Sequence, residues 1–281
     1  MRVMLTGAAG LVAHALIPAL ERAGHDVLPL TRADADVTDL AGLRHPLASF
    51  KPEWVVNLAA FTKVDDAESR ADHAYLVNAL GARNVALACL EIGAALVHLS
   101  TDYVFSGDDP APRREYDATA PRSVYGISKL AGEHAVREVH ARHVIVRTAW
   151  LYGHGGSHFV GAILRKARAG EPVAVVDDQH GSPTFTHDLA EQLVRLIAAG
   201  QFGTYHVTNT GECTWWDLAA WVLSKSNLPP PARTTTAMLG RPAPRPVHSV
   251  LSNLLAERVT GAVMPAWQDA ATRYLAEARS S

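Results

Sequence analysis

The sequence predicts an α/β fold, in which a Rossmann-type doubly wound parallel sheet is followed by a smaller C-terminal α/β lobe. Two observations indicate this fold. Short apolar runs alternate with stretches of helical apolar spacing through the first half of the chain. A turn containing Gly7 and Gly10 follows the first apolar run and opens the first helical stretch. With 281 residues, 48% of them hydrophobic, the chain has room for a large and a small domain.

The alternation assigns the elements of the first domain in order. Buried strands are predicted at Arg2–Thr6, Asp26–Leu30, Trp54–Leu58, Leu96–Ser100 and Val144–Arg147, and helices at Leu11–Ala23, Leu40–Phe50, Ala74–Ile92 and Val124–Val139. Strand–helix–strand repetition with short loops predicts a parallel sheet covered on both faces. Residues 1–150 are therefore predicted to form a nucleotide-binding domain, which also takes part of residues 177–205.

The alternation stops after Trp150, and residues 151–281 are predicted to form most of the second lobe. The pattern predicts a loop at 154–157, a helix over Phe159–Ala169, a strand over Val173–Val176, a polar turn over Asp177–Pro183 and a helix from Thr186 or His187 to Ala199. Thr214 and Asp217 have capping-box spacing before a helix that runs through Ser224. Leu228–Pro246 is rich in Pro and Arg, so we expect no regular structure there.

Composition and charge exclude several classes of function. The formal net charge is −2 and the basic residues are scattered, which argues against a nucleic-acid partner. No apolar run approaches the ~20 residues of a membrane helix, and the N-terminus lacks the pattern of a signal peptide. Cys89 and Cys213 are far apart and are interpreted as buried thiols. The sequence therefore predicts a cytoplasmic protein.

The glycine turn is the candidate cofactor site. Gly7 and Gly10 permit a tight turn and a close approach of the backbone to a pyrophosphate, which a helix N-terminus favours. Ala13 stands where a third glycine is usual, and an ordinary strand–helix turn is the alternative interpretation. Arg32 follows the second strand where an acid would hold a ribose 2′-hydroxyl. NADPH is therefore favoured, with NADH as the alternative if Arg32 is only a solvated loop charge.

Tyr125 and Lys129 form the candidate acid–base pair. They are four residues apart, so they share one face of the predicted helix. A neighbouring ammonium lowers the pKa of a phenol, which can then act as a general acid or base near neutral pH. In this context the pair indicates proton-transfer chemistry beside a bound nucleotide.

Other prominent side chains have mostly structural interpretations. Trp150 ends a strand at the expected cleft, where a functional role is favoured. The other tryptophans are interpreted as core or lobe-packing residues: Trp54, Trp215, Trp216, Trp221 and Trp267. His154 and His158 enclose two glycines that argue against a helical metal site. Arg241 and Arg245 are either ligands of a diphosphate or plain surface charges.

Several motifs occur in an order that resembles one known family. They are Thr6-Gly-Ala-Ala-Gly10, Asp36-Val-Thr-Asp39, Asn57-Leu-Ala-Ala60, Ser100-Thr-Asp-Tyr-Val-Phe-Ser-Gly107, Tyr125-Gly-Ile-Ser-Lys129, Arg147-Thr-Ala-Trp-Leu-Tyr-Gly153, Asp178-Gln-His-Gly-Ser-Pro-Thr184 and Arg241-Pro-Ala-Pro-Arg-Pro246. The sequence resembles the dTDP-4-dehydrorhamnose reductases, a family of extended short-chain dehydrogenase/reductases, over essentially its whole length.

The resemblance implies an activity and three catalytic residues. NAD(P)H would deliver hydride to C4 of a dTDP-linked 4-keto-6-deoxyhexose, with dTDP-4-dehydro-L-rhamnose as the leading substrate and dTDP-L-rhamnose as its product. Tyr125 would protonate the carbonyl oxygen, and Thr101 would hydrogen-bond the developing alkoxide. Lys129 would bind the nicotinamide ribose and lower the pKa of Tyr125.

The resemblance also implies the binding residues. Those for the cofactor are Gly7, Gly10, Leu11, Val12, Arg32, Asp36, Val37, Ala59, Ala60, Thr62, Asn78, Tyr125 and Lys129. Those for the substrate are Thr101, Asp102, Tyr103, Trp150, Phe159, Gln179 and Arg245.

The chain departs from the family at the glycine turn and leaves some alternatives open. Leu11 and Ala13 replace residues that many members share, which puts the cofactor affinity in question. Some relatives bind magnesium at a dimer contact. Here only Glu191 can be placed near that region, so we predict no metal and leave a homodimer open. The rival functions are a 4-ketoreductase of another dTDP-deoxysugar in antibiotic biosynthesis and a non-catalytic NADP-binding regulatory subunit.

Overall fold

The computed structural model describes residues 1–280, so Ser281, the last residue of the predicted lobe, lies outside the described part. The strands are β1 (Arg2–Thr6), β2 (Asp26–Leu30), β3 (Trp54–Asn57), β4 (Ala95–Thr101), β5 (His143–Thr148), β6 (Leu151–Tyr152), β7 (Ala174–Val176), β8 (His180–Gly181), β9 (Thr184–Phe185), β10 (Gly203–His206), β11 (Cys213–Thr214) and β12 (Ala232–Thr234). The helices are α1 (Leu11–Arg22), α2 (Leu40–Phe50), α3 (Val64–Ser69), α4 (Ala71–Tyr75), α5 (Ala82–Ile92), α6 (Val124–Val139), α7 (Phe159–Arg168), α8 (Thr186–Ala199), α9 (Trp215–Lys225), α10 (Thr236–Leu239), α11 (Leu254–Thr260) and α12 (Trp267–Ser280).

Six parallel strands form the main sheet in the order β10-β5-β4-β3-β1-β2. Apolar side chains alternate between its two faces, as the two-residue period of a strand requires. Val3 and Leu5 face α1 and α8, whereas Met4 between them faces α2, α5 and α6. The predicted α/β fold with a doubly wound parallel sheet is confirmed.

The second lobe has its own core and three small sheets of two strands each: β11 with β8, β12 with β7 and β6 with β9. Tyr152 and Phe185 are fully buried at its centre, and α7, α9 and α12 pack around them. The chain also returns to the first domain, because α8 packs on α1 and β10 extends the main sheet next to β5.

Most predicted elements are confirmed within a residue or two, and local signals explain several ends. Ser123 accepts a hydrogen bond from the Gly126 amide and begins α6. Thr214 and Asp217 form the predicted capping box of α9. The single helix predicted over Ala74–Ile92 is α4 and α5, which the π-helical segment Leu76–Gly81 joins.

Two predictions in the lobe are wrong. Leu228–Pro246 contains β12 and α10, because β12 pairs in parallel with β7 and Thr235 accepts a hydrogen bond from the Met238 amide at the start of α10. The predicted polar turn Asp177–Pro183 contains β8, which pairs antiparallel with β11. In both cases the partner strand is more than 30 residues away, so no local pattern announces it.

Two predictions from composition also bear on the fold. Cys89 and Cys213 are buried and unpaired, as predicted. Within residues 1–280, none of the helices combines the length and the apolar content that crossing a bilayer demands.

Candidate active site

A cleft of about 920 Å³ opens at the carboxyl edge of the main sheet, with the lobe as its second wall. The order of the strands reverses between β1 and β3, which is where open α/β sheets bind ligands. Most of the predicted site residues line it: Gly7, Gly10, Leu11, Val12, Arg32, Asp36, Val37, Ala59, Ala60, Thr62, Thr101, Asp102, Tyr103, Tyr125, Lys129, Trp150 and Phe159. Asn78, Gln179 and Arg245 are not among its lining residues.

The glycine turn has the shape that a dinucleotide needs. Gly7 has a φ of 71°, and a Cβ there would lie 2.7 Å from the Ala59 amide nitrogen. Only glycine therefore allows the turn to touch the loop after β3. The N-terminus of α1 carries no side-chain cap, so its first backbone N–H groups are free for an anion. Ala13 is fully buried in the core between α1 and the sheet, so its methyl group is accommodated.

The catalytic candidates come from two elements that meet at the cleft. Thr101 is the last residue of β4, and Tyr125 lies in the first turn of α6. The Thr101 hydroxyl donates to Asp102 Oδ1 over 2.9 Å, and both Thr101 and Tyr125 line the cleft. A Cβ at Gly126 would overlap the Tyr103 carbonyl oxygen, so this glycine lets α6 come close to the loop after β4.

The half-buried position of Tyr125 in the cleft changes the pKa of its phenol in the direction opposite to our prediction. Desolvation raises the pKa of Tyr125 to about 12, and the neighbouring Thr101 hydroxyl only partly offsets this. Lys129 contributes nothing that offsets this rise, and its Nζ donates to the Leu99 carbonyl oxygen over 2.6 Å. Tyr125 is therefore a phenol that holds its proton firmly at neutral pH.

The charge of a buried acid, Glu133, acts on Lys129, and the sequence did not lead us to this residue. Burial lowers the pKa of Lys129 to about 8, and the charge of Glu133, one turn along α6, partly counters this. Burial alone would raise the pKa of Glu133, but hydrogen bonds and charge from Arg147 hold it at about 2. Arg147 donates to both Glu133 oxygens over 2.9 and 2.8 Å, and Ser100 donates over 2.6 Å. The spacing of Lys129 and Glu133 on one helical face was the available signal.

Two cofactor candidates lie at the far end of the cleft from Tyr125, after β2. Arg32 Nε lies 3.0 Å from Asp36 Oδ2, and 74% of the Arg32 side chain is exposed. Asp36 Oδ1 accepts hydrogen bonds from both the backbone and the hydroxyl of Thr38, which lower its pKa. Asp36 thus fixes the loop, and Arg32 has donors free for a phosphate.

Asn78 supports the cleft from behind. It is buried in the π-helical segment, accepts from the Phe61 amide and donates to the Phe61 carbonyl oxygen and the Ser128 hydroxyl. It therefore joins the loop after β3 to α6.

The lobe contributes an aromatic wall. Trp150 and Trp215 stack with ring centroids 3.6 Å apart and planes 7° apart, and Phe159 lies 4.5 Å from Trp215. Our interpretation of Trp215 as a packing residue is incomplete, because Trp215 also lines the cleft. Trp150 has a φ of 49°, a left-handed conformation that costs a bulky residue roughly 1–2 kcal/mol.

Gln179 and Arg245 have protein partners outside the cleft lining. Gln179 donates to the Thr236 hydroxyl over 2.8 Å. Arg245 binds both oxygens of Asp65, which also pairs with Arg241 at 3.1 Å. Hydrogen bonding from Arg245 is the main reason that the pKa of Asp65 is lowered to about 2. These contacts tie the Pro-rich segment to α3.

The histidines of the glycine loop have structural roles. His158 accepts a hydrogen bond from the Gly161 amide and caps α7. His154 lies 3.2 Å from a Glu277 oxygen. Across residues 1–280, no three His, Cys, Asp or Glu side chains are grouped as a metal site would require.

Comparisons with known proteins agree on one family. The model of the RmlD substrate binding domain matches residues 1–280. The chain is 48% identical over 259 residues to a dTDP-4-dehydrorhamnose reductase of Streptomyces griseus, which covers 89% of this chain and 85% of that protein. It is 41% identical over 281 residues to the spore coat polysaccharide biosynthesis protein SpsK of Bacillus subtilis, covering 100% and 99%.

A solved structure gives the same result. The crystal structure of dTDP-4-dehydrorhamnose reductase from Bacillus anthracis in complex with NADP matches with a TM-score of 0.95 at 40% identity, covering 98% of this chain and 99% of that one. The chain belongs to the dTDP-4-dehydrorhamnose reductase family. The resemblance read from the sequence is confirmed, and so is the predicted class of enzyme, an NAD(P)H-dependent oxidoreductase of nucleotide-sugar biosynthesis.

Proposed function

We propose that the protein reduces the C4 ketone of dTDP-4-dehydro-L-rhamnose to dTDP-L-rhamnose with NADPH. The observation that carries the proposal is the meeting of Thr101, Tyr125 and Lys129 in the cleft that the glycine turn also lines. A proton donor thus lies in the same cleft as the expected nucleotide.

The three side chains divide the work of moving one proton. Tyr125, whose raised pKa keeps it protonated, donates its phenolic proton to the ketone oxygen. Thr101 hydrogen-bonds the ketone oxygen while negative charge develops on that oxygen. Lys129 is charged below a pH of about 8 and stabilises the phenolate that Tyr125 becomes. A bound nicotinamide dinucleotide supplies the hydride that C4 receives.

The cofactor proposal follows from the donors around the cleft. The N-terminus of α1 and the turn at Gly7 and Gly10 would hold the pyrophosphate. Arg32, with most of its side chain exposed, would bind the 2′-phosphate of NADPH. The relative from Bacillus anthracis contains NADP, which supports this choice.

Two alternatives share this scaffold. A 4-ketoreductase for another dTDP-deoxysugar would use the same three residues, and the similarity to SpsK, whose name specifies no sugar, leaves that alternative open. A regulatory subunit would have no need of a proton donor, so the presence of Thr101, Tyr125 and Lys129 in one cleft favours an enzyme. A cytoplasmic location and a homodimer stay predictions.

The test is NADPH oxidation with enzymatically prepared dTDP-4-dehydro-L-rhamnose, for the wild type and for Tyr125→Phe. We expect turnover in the wild type and a loss of roughly 10²–10⁴-fold in the variant, with NADPH binding retained. Tyr116→Phe is the matched control, because Tyr116 is 65% exposed on the surface. Unchanged turnover in Tyr125→Phe would refute the assigned acid. Binding of NADPH without reduction by the wild type would favour an alternative.

A further inference from the structure

The position of Trp150 in the cleft depends on neighbouring residues that contact its backbone and its ring. Its φ of 49° is a conformation that a bulky side chain rarely adopts. The Trp150 carbonyl oxygen accepts a hydrogen bond from the Thr184 amide over 3.2 Å, next to the pairing of β6 with β9. Strained residues of this kind persist where their surroundings over-determine them.

One face of the Trp150 ring is covered by Trp215. The two indoles are nearly parallel, with centroids 3.6 Å apart. Phe159 packs against the same Trp215 ring at 4.5 Å, so Trp215 is itself supported. Stacked aromatic pairs add stabilisation beyond the area they bury.

The other face lies against Gly181. A Cβ at Gly181 would lie 2.8 Å from Trp150 Nε1 and 2.6 Å from Cζ2, and it would be closer still to Cε2, the atom between them. If the Cβ approached in the plane of the indole, Cε2 would be farther from it than Nε1 and Cζ2. Because Cε2 is instead the nearest atom, the Cβ would sit over the face of the ring. All three of its nearest atoms belong to Trp150 rather than to Trp215, which places Gly181 on the face opposite the stack.

One small sheet delivers both neighbours. Gly181 in β8 pairs antiparallel with Cys213 in β11, and Trp215 follows β11 directly. Gly181 has no left-handed φ, so its backbone would accept alanine. The absence of a side chain at Gly181 is therefore required by the ring of Trp150 and not by the turn.

We propose that Trp215 and Gly181 are positioning residues that hold the Trp150 indole between them, so that its edge, and not its face, meets the keto sugar. The proposal rests on the proposed function and assigns this part of the site its shape. A wall fixed on both faces orients the ring of the sugar, and with it the C4 ketone, towards Tyr125. Misplacing such a wall by about 1 Å lowers turnover by up to about 100-fold.

The first test needs no substrate. The indole N–H resonance of Trp150 is assigned by its loss in Trp150→Phe. We expect that resonance to shift in Gly181→Ala and in Trp215→Ala, because both change the ring environment of Nε1. Trp216→Ala is the control, since the Trp216 indole donates to the Pro231 carbonyl oxygen and does not line the cleft. If the Trp150 indole N–H resonance stayed in place in both Gly181→Ala and Trp215→Ala, the proposal that these residues hold the ring would be overturned.

The second test is kinetic. We expect kcat/KM for the keto sugar to fall about tenfold or more in Gly181→Ala and Trp215→Ala, with the Kd for NADPH unchanged, and to be largely restored in Trp215→Phe, which keeps a stacking ring. In the background of Trp150→Ala, either substitution should have little further effect on kcat/KM, because both act only through the indole of Trp150, which that background lacks. Undiminished effects in that background, or wild-type kinetics in the single variants, would overturn the proposal. If the wild type reduces no keto sugar, the proposed function fails. The indole N–H resonance of Trp150 would still show whether Gly181 and Trp215 hold its ring.

Discussion

The two walls of the cleft are held in place by different physical means. On the wall formed by the main sheet and α6, the sheet wall, Lys129 donates to the Leu99 carbonyl oxygen, and a buried ion pair joins Glu133 and Arg147 behind the cleft. On the lobe wall, Trp150 and Trp215 are fixed by ring contacts and by a glycine. Charge pairs set protonation states, whereas stacked rings set a shape. The comparison suggests that the sheet wall governs chemistry and pH dependence and that the lobe wall governs which sugar fits.

The strongest way to break the sheet wall is Glu133→Gln. The substitution leaves the charge of Arg147 buried without its partner, so we expect a loss of about 3–5 kcal/mol in the free energy of unfolding by urea. Glu138→Gln is the matched control on the exposed side of α6 and should stay within about 0.5 kcal/mol.

Glu133→Gln should also change how the free energy of unfolding depends on pH in acid. The pKa of Glu133 is lowered to about 2 in the folded state, so its contribution to stability is present above its ordinary pKa and is lost as the pH falls towards 2. Wild type should therefore lose more stability than Glu133→Gln between about pH 5 and pH 2. Parallel curves would mean that the ion pair does not hold the sheet wall.

Asp102, also on the sheet wall, should give stability the opposite pH dependence from Glu133. Burial raises the pKa of Asp102 to about 6 in the folded state. Its favourable contribution is therefore complete below the unfolded pKa of about 4 and is lost as the pH rises through 6, a change of roughly 2–3 kcal/mol. Relative to Asp102→Asn, the wild type should lose stability between about pH 4 and pH 7. The exposed Asp72→Asn should follow the wild type, and so would Asp102→Asn if this carboxyl did not titrate.

A smaller effect is expected at the outer end of the cleft, where the sheet wall meets solvent. Arg32→Ala should raise the KM for NADPH roughly tenfold and leave that for NADH almost unchanged, because it removes one charge-assisted contact to the 2′-phosphate. Arg22→Ala, at the far end of α1, is the control for a lost exposed charge. Equal weakening of both cofactors would show that Arg32 only fixes its loop through Asp36.

The sheet wall was far easier to predict from the sequence than the lobe wall. Gly7, Tyr125 and Lys129 lie at the ends of elements whose apolar period is visible locally, so their meeting at one sheet edge follows from the fold. Trp215 lies in the cleft only because the two-residue strands β8 and β11 pair across more than 30 residues. A strand that short has no period to detect. The charge state of Tyr125 was also out of reach, since burial, which decides it, is a property of the packed chain.

The smallest expected effect on kinetics concerns the contact between the sheet domain and the Pro-rich segment, the pairing of Asp65 with Arg245 and Arg241. Because the Asp65 and Arg245 side chains are only 26% and 12% exposed, Asp65→Asn should cost about 1.5–3 kcal/mol in stability. It also releases Arg245, and if Arg245 binds the diphosphate of the substrate, the KM for the keto sugar should fall about twofold to threefold while Arg245→Ala raises it. Arg241→Ala is the control, because Arg241 is 55% exposed. A KM that rises in both Asp65→Asn and Arg245→Ala would instead mean that the ion pair itself holds the Pro-rich segment against the sheet domain.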